Sequence, residues 1–181
     1  MADNIKFEML ADSIKNINLK AGNAAKSAVN QLMTLRNWAI GYYIVEYEQG
    51  GSDRAEYGTR LLKTLEEQIA EKGMNSTLFK WCRQFYILYP QIGATVSHQF
   101  NLPDFGKSAT VSHQFITKPD VLVNNLSFSH IREIMVIDDA FERFFYETEC
   151  IKCNWSVREL RRQIKTNLYV RAGISKKPEL L

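Results

Sequence analysis

The residues of this sequence best suited to chemistry are four cations within about two helical turns near its C-terminal end: Arg158, Arg161, Arg162 and Lys165. A helix rotates by about 100° per residue, so on a helix these four side chains share one flank. Guanidinium and ammonium groups presented together suit a phosphate-rich polyanion such as nucleic acid. The alternative is a solvated basic face on an ordinary core helix, and the pattern alone favours neither interpretation.

The positive charge of the chain is concentrated in its last segment. Residues 156–181 hold seven basic and two acidic residues, which gives +5, whereas the whole chain carries +3. The first 155 residues therefore net −2 (+3 less +5). Such a local excess is typical of a binding surface or of a solubilising tail.

A helix over residues 156–168 is predicted to position the four cations. Ser156 is a suitable N-cap, and Glu159 follows at the spacing of a capping box. An apolar stripe at helical spacing would attach the helix to a core. Its members are Val157, Leu160, Ile164 and Leu168.

Two further pairs of residues extend the predicted nucleic-acid site. Lys80 and Arg83 lie on the polar arc of a predicted helix over residues 76–89. His130 and Arg132 lie in the first turn of a predicted helix over residues 129–136, started by Ser127 or Ser129, where backbone N–H groups could also hold a phosphate. The alternative for this turn is a capped, exposed helix start.

No catalytic or metal-binding constellation is recognisable in the sequence. Cys150 and Cys153 form a lone CxxC pair, and a zinc site would need two more ligands. Helix capping explains Asp138 and Asp139. The chain has neither a phosphate-binding glycine loop nor a GxSxG nucleophile motif. We therefore expect no metal, no cofactor and no enzymatic activity.

Helical periodicity dominates the chain and predicts an all-α, compact multi-helix domain. The predicted helices span residues 5–19 (ended by Gly22), 24–48, 53–72, 76–89, 129–136, 138–152 and 156–168. Gly41, inside the second of these, indicates a close helix crossing. Residues 55–72 with 76–89, and 138–152 with 156–168, form two helix-turn-helix-like units. The predicted organisation is an N-terminal arm (1–23), a helical domain (24–170) and a tail (171–181).

Residues 91–126 interrupt the helical pattern and contain a local duplication. The heptapeptide ATVSHQF at 94–100 recurs unchanged at 109–115. Between the copies lies a turn-rich linker. The copies could pair as the strands of a short β-hairpin, or the whole segment could be a disordered loop.

The composition is typical of a cytoplasmic protein. Its three cysteines form no disulfide framework, as expected in a reducing compartment. No apolar run reaches the length of a membrane span, and the N-terminus lacks a secretory-signal pattern. We also expect a homodimer, because the helices 24–48 and 76–89 carry more apolar surface than a small helical domain easily buries.

An ordered set of motifs resembles the N-terminal domain of YhcG-type proteins, a bacterial family. The resemblance covers about residues 24–170. The matching pieces are RNW at 36–38, IG at 40–41, IVE at 44–46, AEYG at 55–58 with Leu61, Leu62 and Leu65, RQFY at 83–86, YP at 89–90, LSFSHIR at 126–132, FYE at 145–147 and NWSVRELRRQI at 154–164. The chain departs from the family at Phe128, where tryptophan is more common, and in its longer 91–126 segment.

The resemblance implies a helical module that usually precedes a PD-(D/E)XK nuclease domain. No lysine in this chain has Asp or Glu two residues before it, so the nuclease signature is missing; that chemistry needs carboxylates holding a divalent metal beside a lysine. The family therefore implies a non-catalytic module that binds nucleic acid, DNA in preference to RNA, and works with a nuclease domain or subunit. The alternative is a protein-interaction or dimerisation scaffold without nucleic-acid contact.

Overall fold

The computed structural model describes residues 7–50, 60–100 and 116–173, and all regular secondary structure in this part of the chain is helical. It confirms the all-α prediction: the described residues form nine α-helices, one 3₁₀-helix and no strand. The helices are α1 (Phe7–Gly50), α2 (Leu61–Ile69), α3 (Ser76–Leu88), the 3₁₀-helix Pro90–Ile92, α4 (Gly93–Phe100), α5 (Pro119–Asn125), α6 (Phe128–Ile134), α7 (Ala140–Lys152), α8 (Val157–Lys165) and α9 (Leu168–Arg171).

The long helix α1 organises the fold and differs from its prediction. It runs for 44 residues without a break, so the predicted end at Gly22 is wrong. A glycine inside a helix costs about 1 kcal/mol relative to alanine, and the alanine-rich stretch 21–28 around Gly22 favours helix strongly enough to offset that cost. Only the second half of α1 reaches the core, where Leu35 and Trp38 are buried.

A close crossing joins α1 to α3, as the glycine in the middle of α1 indicated. A Cβ atom placed on Gly41 would overlap the carbonyl oxygen of Cys82. The backbones therefore approach more closely than any side chain would allow. Around this crossing, Trp38, Phe79 and Phe85 are buried within one chain, whereas Tyr43 and Tyr47 of α1 are exposed.

A buried polar network holds the centre of the domain. The indole N–H of Trp38 donates to the Tyr89 carbonyl at 2.8 Å. The Tyr89 hydroxyl donates to the Glu147 carboxylate at 2.6 Å, and the Thr117 hydroxyl donates to its other oxygen at 2.6 Å. Burial raises the pKa of Glu147 despite these donors. The network connects α1, the end of α3 and α7 with the segment before α5.

The prediction of a β-hairpin in residues 91–126 is wrong. The first heptapeptide copy lies within α4, and the second copy lies outside the described residues. Ile92 and Val96 are fully buried one helical turn apart, so packing on the core favours a helix over a strand here. Further along, α5 is a helix that the sequence did not predict.

Helix boundaries elsewhere follow local capping. Asn75 and Asp139 cap α3 and α7 with their side chains, as the sequence predicted. The helix predicted over 53–72 ends earlier, at Ile69, where Ala70 adopts a left-handed backbone conformation (φ 49°). Its predicted start lies outside the described residues.

Candidate nucleic-acid interface

The basic helix α8 begins as predicted and ends earlier. Its N-cap Ser156 accepts a hydrogen bond from the backbone N–H of Glu159 at 3.2 Å. Leu160 is fully buried and Ile164 packs against the core, which fixes the orientation of the helix. The helix ends at Lys165, because Asn167 takes a left-handed conformation (φ 54°) and redirects the chain into α9.

The turn between α7 and α8 is held by hydrogen bonds to Trp155. Its N–H donates to the Cys150 carbonyl at 3.0 Å, and its carbonyl lies 3.0 Å from Nε2 of His130. Further along α8, the carbonyl of Gln163 accepts a hydrogen bond from the hydroxyl of Tyr146 on α7 at 3.3 Å. These bonds position α8 relative to both α7 and α6.

All four predicted cations of α8 are exposed, but they differ in their partners. Arg161 forms a two-pronged ion pair with Glu133 of α6, at 3.0 and 2.6 Å. Arg162 forms the same kind of pair with Glu159, also at 3.0 and 2.6 Å. Arg158 and Lys165 have no ion pair within the described part of the chain.

These side chains line a shallow concave patch of about 330 Å³ along α8. The Arg161 guanidinium holds the pKa of Glu133 below its usual value, and the Arg162 guanidinium does the same for Glu159. Both carboxylates are therefore ionised at neutral pH. The four cations and two carboxylates together leave a net charge of +2 on this surface, carried by Arg158 and Lys165.

His130 lies in the framework that positions α8. The Ser127 backbone N–H donates to its Nδ1 at 3.2 Å, which completes a capping box at the start of α6. With Nδ1 accepting, the proton of the neutral ring sits on Nε2 and is donated to the Trp155 carbonyl. Burial lowers the pKa of His130. Both ring nitrogens are thus engaged within the protein.

The remaining predicted cations divide between two places. Arg132 is exposed, and its guanidinium lies 5.0 Å from the ring centroid of Trp81 on α3. Lys80, the neighbour of Trp81 in sequence, is exposed as well. Arg83 instead turns toward α1 and pairs with Glu48 at 2.7 Å. Helix α6 therefore contacts α3 through Arg132 and α8 through the adjacent Glu133, whereas Arg83 belongs to another face.

Sequence reasoning missed the acidic and aromatic members of this surface. Glu159 could have been paired with Arg162 from their spacing of three residues on one helix. Glu133 and Trp81 are far in sequence from the cations they contact, so no periodicity links them. Only the packing of α6 between α3 and α8 brings them together.

The cysteines and acidic residues have structural explanations. Burial raises the pKa of Cys150 to about 11 and that of Cys82 to about 12, so neither thiol is a ready nucleophile. The Asp139 side chain accepts from the Glu142 N–H at 2.7 Å and caps α7. Over the residues that the structure describes, no group of three or more His, Cys, Asp or Glu side chains could hold a metal ion. None of the described helices is long and apolar enough to cross a membrane.

Fold and surface together define an all-α domain with a cationic helix on one side. The chain belongs to the family of DUF1016 N-terminal domains, whose family model matches residues 13–171. It is similar to the Escherichia coli (strain K12) protein named "Putative nuclease YhcG", with 32% identity over 177 residues, which is 93% of this chain and 47% of that protein. The chain thus spans about half the length of this curated relative, and the resemblance to the YhcG-type N-terminal domain is confirmed. No solved structure matches it.

Proposed function

We propose that this domain binds nucleic acid, DNA in preference to RNA, through α8 and serves as the non-catalytic partner of a nuclease domain or subunit in the cytoplasm. The observation that carries the proposal is the pair Arg158 and Lys165, two exposed cations on one helix without carboxylate partners in the described residues. The name of the Escherichia coli relative supports the association with a nuclease.

Phosphate contacts would supply most of the affinity. Arg158 and Lys165 can approach phosphates directly, since no ion pair in the described chain must first be broken. Arg161 and Arg162 can exchange their carboxylates for phosphates, because the guanidinium fork fits both groups in the same bidentate geometry. An exposed helix suits the wide major groove of B-DNA better than the deep, narrow major groove of A-form RNA.

The test is a charge reversal that leaves the observed ion pairs intact. In a fluorescence-anisotropy titration with a labelled DNA duplex, Arg158→Glu with Lys165→Glu should lose binding by at least about tenfold at low salt, since several counterion-releasing contacts disappear. The matched control, Lys63→Glu with Lys72→Glu, makes the same charge change at exposed positions elsewhere and should bind like the wild type. Equal affinity of the first variant and the wild type would overturn the proposal.

A labelled RNA duplex of the same sequence tests the preference for DNA. We expect weaker binding than to the DNA duplex in the same buffer. Far-UV circular dichroism of each variant verifies that the helices are retained. Reversal of Arg161 and Arg162 would be a poorer test, because it would place glutamate against Glu133 and Glu159.

A further inference from the structure

The first half of α1 is a helix whose apolar stripe is exposed. From Phe7 to Asn30, nearly every residue is exposed, over a length of roughly 35 Å at 1.5 Å per residue. The stripe follows a spacing of three and four residues throughout. Its members are Phe7, Leu10, Ile14, Ile17, Ala21, Ala24 and Ala28.

After one polar position, Gln31, the same spacing continues into the core of the domain. Leu35 follows Ala28 by seven residues, and Trp38 follows Ala24 by fourteen. Both Leu35 and Trp38 are buried against the other helices. In the exposed half, by contrast, Phe7 is 82% exposed and Ile17 is 68% exposed. A repeat of this kind is the seam of a coiled coil, and a lone helix is only marginally stable in water. The exposed half is therefore built to pack against another helix.

The sizes of the stripe residues indicate which helix that is. The large side chains occupy the N-terminal end, and the alanines occupy the end nearer the domain. In a parallel pair of copies, the large side chains would meet each other at one end and the alanines would meet each other at the other end. The distance between the two helix axes would then decrease along the pair. In an antiparallel pair, Ile14 lies opposite Ala24 and Ile17 lies opposite Ala21 of the other copy. Each layer then has a similar volume, as close packing requires.

The charges of the exposed half lie mostly away from the stripe. Glu8, Asp12, Lys15 and Lys26 fall on the outer face of the helix, and of the charged residues named here only Lys20 flanks the stripe. Along the seam, the flanking positions are mostly alanine, serine and asparagine, which do not oppose close approach.

We propose that this face, residues 7–28 of α1, is the interface with a second copy of this chain, paired antiparallel. This surface lies mostly N-terminal to the aromatic helices that the sequence predicted to dimerise; in those helices Trp38, Phe79 and Phe85 are buried within one chain, whereas Tyr43, Tyr47 and Ile87 are exposed. The proposal does not depend on nucleic-acid binding, which we propose for α8 near the other end of the chain.

The oligomeric state tests the interface with a matched pair of variants. Sedimentation equilibrium of the full chain at micromolar concentrations should give a dimer. Ile17→Lys places a charge in the seam and should give a monomer. Leu19→Lys makes the same kind of change at a residue that is 62% exposed but lies outside the stripe, and should remain a dimer. Lysine is a good helix former, so both variants should keep their helix content.

Cross-linking tests the orientation. In a background with the exposed Cys153 replaced by serine, a mixture of Ile14→Cys and Ala24→Cys chains should form a mixed disulfide on mild oxidation. Each cysteine variant alone should form little intermolecular disulfide. A monomeric wild type, or a Leu19→Lys variant that dissociates as readily as Ile17→Lys, would overturn the interface. Efficient disulfide formation by Ile14→Cys alone would overturn the antiparallel arrangement.

Discussion

The guanidinium of Arg161 and the carboxylate of Glu133 meet in a two-pronged ion pair, at 2.6 and 3.0 Å, that joins α8 to α6. The pair lies on the surface, with 64% of the Arg161 side chain exposed. Exposed pairs contribute little to stability. Its main consequence is therefore electrostatic: Glu133 neutralises one of the four cations through which we propose that the domain binds DNA.

Removing that carboxylate should strengthen DNA binding. Glu133→Gln keeps the size of the side chain and releases the Arg161 guanidinium for a phosphate. We expect a lower Kd for a DNA duplex at low salt, measured by fluorescence anisotropy. The gain should vanish when Arg161→Ala is added, because the released guanidinium is then absent.

Glu149→Gln is the matched control for this prediction. Glu149 also pairs with a cation, Lys152 at 3.4 Å, but this pair lies on α7, and among the described residues Glu149 pairs with none of the four cations of α8. Both variants raise the net charge by one. If Glu149→Gln tightened DNA binding as much as Glu133→Gln, the effect would be one of overall charge, and the assignment of Arg161 to the interface would fail.

Two glycines of α1 should respond oppositely to alanine. Gly41→Ala places a methyl group against the Cys82 carbonyl at the crossing with α3, and overpacking of this kind costs about 1–3 kcal/mol of unfolding free energy. Gly22→Ala meets no atom within 4 Å and improves helix propensity by about 1 kcal/mol. Chemical denaturation should therefore show a lower midpoint for the first and no loss for the second. Equal midpoints would contradict the close crossing.

The capping role of His130 predicts a pH-dependent stability. Burial lowers its pKa in the folded state, so the neutral ring contributes stability that is fully present above the unfolded pKa of about 6.5. That contribution is lost as the pH falls through the folded pKa. His130→Gln retains an acceptor and a donor but does not titrate. The stability of the wild type relative to this variant should therefore decrease between about pH 7.5 and about pH 5. A difference that stays constant over this range would contradict the proposed tautomer and cap.

The sequence predicted those parts of the fold that local physics determines. Three predicted N-caps are found in the structure: Ser156, Asn75 and Asp139. A short polar side chain just before an amphipathic segment can accept a hydrogen bond from the free backbone N–H groups of the first helical turn. The close helix approach at Gly41 could also be predicted from the sequence, because a glycine in a helix interior destabilises the helix unless its missing side chain is needed for packing. Both kinds of signal lie within a few residues of the feature that they predict.

Where the sequence misled, packing or neighbouring residues outweighed a local signal. Gly22 indicated a helix end, but the surrounding alanines continue the helix. The repeated heptapeptide at 94–100 was compatible with a strand. Ile92 and Val96, however, are buried one helical turn apart, so they pack on the core from the same side of the helical segment. No single-residue propensity could have shown that the core lies on that side.

The candidate site was predicted only as a set of cations. Spacing alone placed Arg158, Arg161, Arg162 and Lys165 on one helix flank, and all four are exposed there. It could not show that Arg161 has a carboxylate partner, because Glu133 reaches Arg161 across 28 residues of sequence. That tertiary pair, together with the local Arg162–Glu159 pair, singles out Arg158 and Lys165.

The salt dependence of DNA affinity tests the central claim most directly. The logarithm of the association constant falls linearly with the logarithm of salt concentration, by about 0.9 for each phosphate contact on B-DNA. Replacing Arg158 and Lys165 with alanine should therefore weaken binding and reduce the magnitude of that slope by about 2. A wild-type chain that binds duplex DNA with the same slope as this double variant would contradict a role for α8 in holding DNA.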